Sequence, residues 1–385
     1  MKILLVDLCM RKEEHVFFNS AFTKIISDIY PSATIYFYGD KEHCLRVQSE
    51  LNGINEIFFK YINVKSHQTW RLLGSDLYSC RYILGFLRNA QRDGDIIILL
   101  NRLPICLLWV NVLNLFFKRK IISILHGELE SLVNYQNIIG FTKYYYQIFR
   151  LPYLLSQSYI SYIVLGESIK KNISKLNFGK ANIITIDHPY DYALPLPNTI
   201  VESASVLNVG IIGKAMERKN SEKIFELAVK VFTQIKEDRI RFSIAGTVER
   251  KLKNKTNSFV HFSSSAIRLS KEEYSKTILV LTYSLLFYTS DMNKALASGS
   301  FFDCLKFEKP ILALKGNSFI DYYLNKYSGI GLSFDSLDDM ALFIADKNGL
   351  EYFYKTHYQE QIKAIRRAKA DLSLSVLSFK LKQQL

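Results

Sequence analysis

The chain has 385 residues, of which 49% are hydrophobic and 22% charged, and its formal net charge is +14. That length suits two domains of roughly 100–200 residues each, and the ordinary apolar and charged shares exclude a disordered or fibrous chain. The longest apolar run, residues 103–117, falls short of the roughly 20 residues that span a bilayer, and Asp7 interrupts the first apolar run too early for a secretory signal.

In chain order, short apolar runs rich in Ile, Leu and Val alternate with longer helical stretches. KILLVDL, ATIYFYG, DIIILLN, KIISILHG, SYIVLG and NIITIDHP fall in the first half; VLNVGIIG, RFSIAG, SFVHF, ILVLTY, PILALKG and GIGLSF fall in the second. Continuous apolar strands belong to parallel sheets covered on both faces, and their alternation with helices predicts doubly wound α/β domains. The run at 103–117, LPICLLWVNVLNLFF, reads as a buried helix, with an interfacial segment as the alternative. A proline-rich stretch near 188–204 carries Pro189, Pro195 and Pro197 and reads as the linker. The expected domains are therefore residues 1–195, residues 196–350 and a helical tail, 351–385, that packs back on the first domain. The tail lacks Gly and Pro from Leu350 onward.

Both halves are basic and no block of like charge forms a tail, so an anionic partner is expected. The five cysteines, Cys9, Cys44, Cys80, Cys106 and Cys304, are scattered without a CxxC. Reduced thiols in a cytoplasmic protein follow, and no pair has the short spacing of a zinc motif.

Three constellations carry chemistry. LNVGIIGKAMERKN, residues 207–220, ends a strand in Gly210 and Gly213 and then supplies Lys214, Arg218 and Lys219. Glycine lets the backbone approach a ligand, a helix start favours anions, and the lysines suit a diphosphate leaving group. ALASGSFFDCLKFEKPILAL, residues 295–314, places Ser298, Gly299 and Ser300 before a helix expected over Phe301 to Phe307. Amides at that helix start suit phosphate oxygens, and Asp303 in the first turn suits ribose hydroxyls. As structure alone, Ser300 would be an N-cap and Asp303 its capping-box carboxylate. In ISILHGELES, residues 122–131, a strand ends and His126, Gly127, Glu128 and Glu130 follow immediately, where active-site residues of open α/β sheets gather. There His126 suits contact with a reacting sugar, and Glu128 suits a general base or acceptor ligand. No DxD motif with metal-site placement occurs: Asp338 and Asp339 are adjacent, and Asp93-Gly94-Asp95 precedes a strand at its N-terminal end.

The order of these pieces resembles the GT-B glycosyltransferases, especially the retaining group of bacterial lipopolysaccharide and capsule synthesis. In that group the second domain opens with Gly-Arg and a Lys five residues later; Gly213, Lys214 and Lys219 match, with Lys in place of Arg. IAGTVE, with Gly246, resembles the next strand and its turn, and FVHFSSS at 259–265 the strand before the base-contacting loop. Asp303 and the strand after Lys309-Pro310 resemble the family's acidic residue and its following strand, and HPY at 188–190 the end of its first domain. Two departures stand out: the family's earlier paired glutamate is Ala295 here, and LCMRKEEH, residues 8–15, replaces a glycine-rich acceptor loop.

The resemblance implies two Rossmann-like domains facing across a cleft and an enzyme moving a hexose from a nucleotide-diphosphate sugar to a glycan or lipid-linked acceptor. It implies His126, Glu128, Lys214 and Lys219 as catalytic residues, and Gly213, Arg218, Gly246, Ser298, Gly299, Ser300 and Asp303 as donor ligands. Neither a cofactor nor a metal ion is expected. The protein is expected to be cytoplasmic and to sit peripherally on the inner face of the membrane through Lys143, Tyr144, Tyr145, Tyr146, Phe149 and Arg150. The alternatives are a nucleotide-sugar epimerase of the same fold and a basic nucleic-acid-binding protein; no nucleic-acid module is present to favour the latter.

Overall fold

The computed structural model of the chain describes residues 1–51, 54, 57–65, 72–91, 94–133, 150–192, 206–262, 269–289 and 294–385. The chain divides into two compact units. The first is Met1–Asp191 with Ala295–Ala297 and Leu372–Leu385; the second is Tyr192–Lys294 with Ser298–Asp371.

The first unit holds a parallel sheet of β1 (Lys2–Asp7), β2 (Thr34–Gly39), β3 (Ile57–Tyr61), β4 (Ile96–Asn101), β5 (Lys120–Leu125), β6 (Ile160–Val164) and β7 (Asn182–Thr185), in the order β3-β2-β1-β4-β5-β6-β7. Every residue of β4 is buried, as a strand covered by helices on both faces must be. β3 lies at the edge and is mostly half-buried or exposed. The sequence reading missed it, because EIFFKY has too little continuous apolar character to stand out from a loop.

The second unit holds β8 (Leu207–Ile212), β9 (Ile240–Ala245), β10 (Val260–Phe262), β11 (Tyr283–Leu286), β12 (Ile311–Leu314) and β13 (Gly331–Phe334), in the order β10-β9-β8-β11-β12-β13, again parallel. In both sheets the strand order reverses once, between β1 and β4 and between β8 and β11, while every strand stays parallel. Such switch points open a crevice at the carboxyl ends of the strands, where ligands of open α/β sheets bind. The α/β class with two doubly wound, Rossmann-like units expected from the sequence is therefore present.

Three local expectations need correction. The run ILVLTY is not one strand. Ser270 and Glu273 form a capping box that starts helix Lys271–Leu279, so Ile278 and Leu279 close that helix and β11 begins only at Tyr283. A continuous apolar run carries no period that could separate the two. Second, the helix over the second constellation spans Gly299–Lys306 and is capped by Ser298, whose side chain accepts from the Phe301 amide; Ser300 lies inside it, and Asp303 is in its second turn. Third, helix Pro104–Phe117 is buried on one face only. Cys106, Leu107 and Val110 face the core, while Trp109, Val112, Leu115 and Phe116 are exposed, Phe116 at 80%.

The tail forms helices Tyr352–Asp371 and Leu374–Lys382. Gln361, Ile365 and Ala368 of the first are buried in the second unit. Leu377 and Leu381 of the second are fully buried in the first unit's core, with Phe22, Ile25 and Ile26 of helix Val16–Ile29.

Candidate functional site

In the second unit, the turns after β8 and β9 touch. Gly213 has φ +90° and Gly246 φ +155°. A Cβ on Gly246 would stand 2.0 Å from the Gly213 carbonyl oxygen, so only glycine permits the approach. A Cβ on Gly213 would stand 3.0 Å from Ser300 Oγ and 3.6 Å from the Tyr274 hydroxyl. Three loops thus converge above the switch point.

Lys219, in a single 3-10 turn Glu217–Lys219, donates from Nζ to Ser300 Oγ at 3.2 Å. Its ammonium lies 5.8 Å from the Tyr288 ring, and the Tyr288 hydroxyl shares a 3.1 Å hydrogen bond with Ser298 Oγ. Tyr274 donates to Asp303 Oδ2 at 2.9 Å. A small pocket at the strand ends is lined by Ile212, Lys219, Ser221, Leu286, Tyr288 and Ser300. Gly299 opens the helix with nothing within 4 Å of where a Cβ would lie. First-turn amides, the positive end of the helix dipole and a lysine on one small area suit an anion such as a phosphate. Lys214 and Arg218 are exposed and stand outside this hydrogen-bonded group. The second unit therefore brings together Gly213, Lys219, Gly246, Ser298, Gly299, Ser300 and Asp303, with Tyr274 and Tyr288 as members the sequence reading did not single out.

In the first unit, His126 and Glu128 follow β5. The His126 amide donates to Glu128 Oε2 at 2.9 Å, and Glu128 Oε1 is ion-paired to Arg102 Nη1. Arg102 follows β4, is buried, and also donates to the Tyr153 hydroxyl at 3.3 Å. Burial works against its charge, but Tyr153 and Glu128 hold it protonated. Both oxygens of Glu128 are thus engaged. His126 Nε2 lies 2.9 Å from the Leu100 carbonyl oxygen. A carbonyl only accepts, so Nε2 carries the hydrogen. Burial first, and then the neighbouring His15 and His188, hold the His126 pKa well below its usual range. The ring is therefore neutral at physiological pH. His15 stands 5.0 Å from it centroid to centroid, and Phe18 packs edge-on against both His126, at 4.6 Å, and His188, at 5.0 Å.

Two further acidic groups have partners that the sequence did not announce: Glu130, of the same segment as His126 and Glu128, and Asp7. Glu130 accepts from the Ala295 amide at 2.8 Å, so a carboxylate reaches position 295 from a helix far away in sequence. Asp7 ends β1 fully buried. Its Oδ1 accepts from the amides of Cys9 and Met10, at 3.0 and 2.8 Å, and its Oδ2 from Nδ2 of Asn19 and Asn101, at 2.7 and 2.8 Å. Asn19 Nδ2 also lies 2.8 Å from His43 Nε2, and His43 Nδ1 lies 3.1 Å from the Lys12 carbonyl oxygen. This network shapes residues 8–15, where the sequence shows no glycine-rich loop. The available signal was Asp7 itself, a carboxylate closing an apolar strand; Arg102 and Glu130 carry no pattern.

Among the described residues, one group of metal-ligating side chains, Asp76, Cys80 and Cys106, is close-set, and none of the three belongs to either constellation.

No protein-family model matches the chain, and no curated protein matches it. Solved structures do. WaaG, a glycosyltransferase involved in lipopolysaccharide biosynthesis, aligns with a TM-score of 0.63 at 12% identity, covering 100% of this chain and 99% of its own. HepE from Anabaena, in complex with UDP-glucose, aligns at 0.64 and 11%, covering 100% and 98%. Sucrose-phosphate synthase from Thermosynechococcus elongatus aligns at 0.65 and 10%, covering 100% and 98%. At such identities the likeness establishes the fold: the chain has the GT-B architecture over its whole length.

Proposed function

We propose that this GT-B chain is a glycosyltransferase. It moves a sugar from a nucleotide-diphosphate donor onto a glycan or lipid-linked acceptor in bacterial surface polysaccharide synthesis. The observation that carries this reading is the Lys219–Ser300 contact beside Gly213, Gly246 and the start of helix Gly299–Lys306. The helix amides and Lys219 would hold the diphosphate, and Lys214 and Arg218 would add positive charge at its edge. Asp303, set by Tyr274, would accept from ribose hydroxyls. As the glycosidic bond to phosphate breaks, negative charge grows on the leaving diphosphate. Fixed cations and amides stabilise that charge without a metal ion. HepE, whose structure holds UDP-glucose, makes a UDP-sugar the first donor to test.

On the first unit, neutral His126 would contact the sugar or acceptor. Glu128, with both oxygens engaged, is better suited to holding the loop after β5 and an acceptor hydroxyl than to removing a proton. Such an arrangement fits a retaining reaction, which requires no enzyme base.

The acceptor side would meet the membrane peripherally. No helix among the described residues is long and apolar enough to cross one. Helix Pro104–Phe117 instead presents Trp109, Val112, Leu115 and Phe116 to solvent and is followed by Lys118, Arg119 and Lys120. Helix Arg150–Leu154 packs beside it with Leu151 and Leu154 exposed. Apolar side chains flanked by cations suit an anionic lipid surface. Of the residues expected there, Arg150 is exposed, while Lys143, Tyr144, Tyr145, Tyr146 and Phe149 lie outside the described residues.

A panel of nucleotide sugars tests the reading. One donor should raise the melting temperature and be hydrolysed slowly without acceptor, with no requirement for added Mg²⁺. A panel with no response, or hydrolysis that EDTA abolishes and Mg²⁺ restores, contradicts it.

A further inference from the structure

We propose that Asp76, Cys80 and Cys106 form a binding site for a thiophilic divalent cation, zinc foremost, where two helices meet beside the switch point of the first unit. One ligand atom from each residue lies within 4.8 Å of the others. Asp76 and Cys80 are four residues apart on helix Leu72–Cys80, a spacing that puts both side chains on one face. Cys106 comes from the first turn of helix Pro104–Phe117. Because the ligands arise from separate helices, no short cysteine spacing announces the site.

The supports of the three side chains are already in place. Leu103 provides no side-chain cap for its helix. Asp76 does so instead, accepting from the amides of Ile105 at 2.7 Å and Cys106 at 2.8 Å. These bonds fix the carboxylate beside the thiol of Cys106. A carboxylate oxygen accepts in more than one direction, so capping and metal ligation are compatible. Cys80 donates its Sγ–H to the Asp76 carbonyl oxygen at 3.3 Å, a bond given up when the thiol loses its proton to take the metal. Asp76 and Cys106 are buried, whereas Cys80 is half-exposed and provides an entry path.

The donor set decides the metal. Two sulfurs and one oxygen suit zinc and disfavour Mg²⁺ and Ca²⁺, which take oxygen ligands. Tetrahedral bonds of about 2.3 Å to sulfur and about 2.1 Å to oxygen require the three atoms to draw together slightly, by side-chain rotation. Each thiol releases its proton to solvent as its sulfur takes the metal, and the two thiolates and the carboxylate then balance the cation to a net charge near −1. The negative thiolate of Cys106 sits at the positive end of its helix dipole. A water molecule entering on the half-exposed side at Cys80 can complete the tetrahedron. A bound ion would tie helix Leu72–Cys80 to the start of helix Pro104–Phe117, two residues beyond Arg102.

The test uses the full chain, reduced and stripped of metal, titrated with Zn²⁺ against a chromophoric chelator and separately with Co²⁺. About one ion should bind per chain, and the cobalt form should show thiolate-to-metal charge transfer with the intense visible bands of four-coordinate cobalt. Cys80→Ser and Cys106→Ser should each weaken zinc binding at least about tenfold, whereas Cys304→Ser, in the second unit, should leave it unchanged. Absence of thiolate charge transfer in the unsubstituted protein overturns the proposal, whether or not the serine variants fold. Zinc affinity unchanged from the unsubstituted protein in both folded serine variants also overturns it, by placing the ion elsewhere.

Discussion

His126 and His188 are two imidazoles that burial keeps uncharged. His188 is pulled down to about 3 by burial and then by His15, and His126 is lowered for the same first reason. A histidine whose folded pKa lies below its unfolded value of about 6.5 contributes stability above that pH and loses it as the pH falls. The unfolding free energy should therefore fall on acidification from about pH 6.5 towards pH 3, by up to about 1.4 kcal/mol per pH unit for each histidine, and the melting temperature should fall with it. His188→Asn should flatten the slope in thermal melts; an unchanged slope removes His188 as a source. Glu128 belongs to the same scale. With Arg102 and the His126 amide on its oxygens, Glu128→Gln should impair transfer while leaving donor binding intact. Weakened donor binding in calorimetry would place Glu128 with the donor instead.

At the scale of elements, the second unit depends on two turns in contact. Gly246→Ala puts a methyl group 2.0 Å from a backbone oxygen at a φ of +155°, and should cost about 2–5 kcal/mol in denaturant unfolding. The strand-turn-helix at Gly213 was legible because glycine followed by lysines leaves a local mark, and Lys219 and Ser300 do meet. What stayed illegible has a physical cause in each case. Arg102 and Glu130 act through partners 26 and 165 residues away, and such contacts leave no spacing. Edge strand β3 lacks the apolar continuity of a covered strand. Helix Pro104–Phe117 is apolar on both faces, so composition showed a helix but not that half of it meets solvent. That exposed face carries its own prediction: Phe116→Glu should lower recovery on anionic vesicles about tenfold or more, since a buried Phe contributes roughly 1.5–3 kcal/mol. Equal sedimentation of both proteins would remove the helix from the membrane surface.

At the scale of the whole molecule, two doubly wound sheets, each with one switch point, make the GT-B architecture, and the chain's end returns to its beginning. Leu377 and Leu381, near the C-terminus, are fully buried among residues of helix Val16–Ile29. The fold was readable because alternating apolar runs and helices admit few parallel topologies. The chemistry rests on a smaller base, the anion site around Lys219. Calorimetric titration of the responding nucleotide-diphosphate sugar into the unsubstituted chain and into Lys219→Ala tests it most directly. A charge-assisted contact contributes about 1.5–3 kcal/mol, so the substitution should weaken the nucleotide sugar and the free nucleoside diphosphate by at least about tenfold. It should leave any binding of the free sugar unchanged. Equal affinity of both proteins for the nucleoside diphosphate would contradict the account.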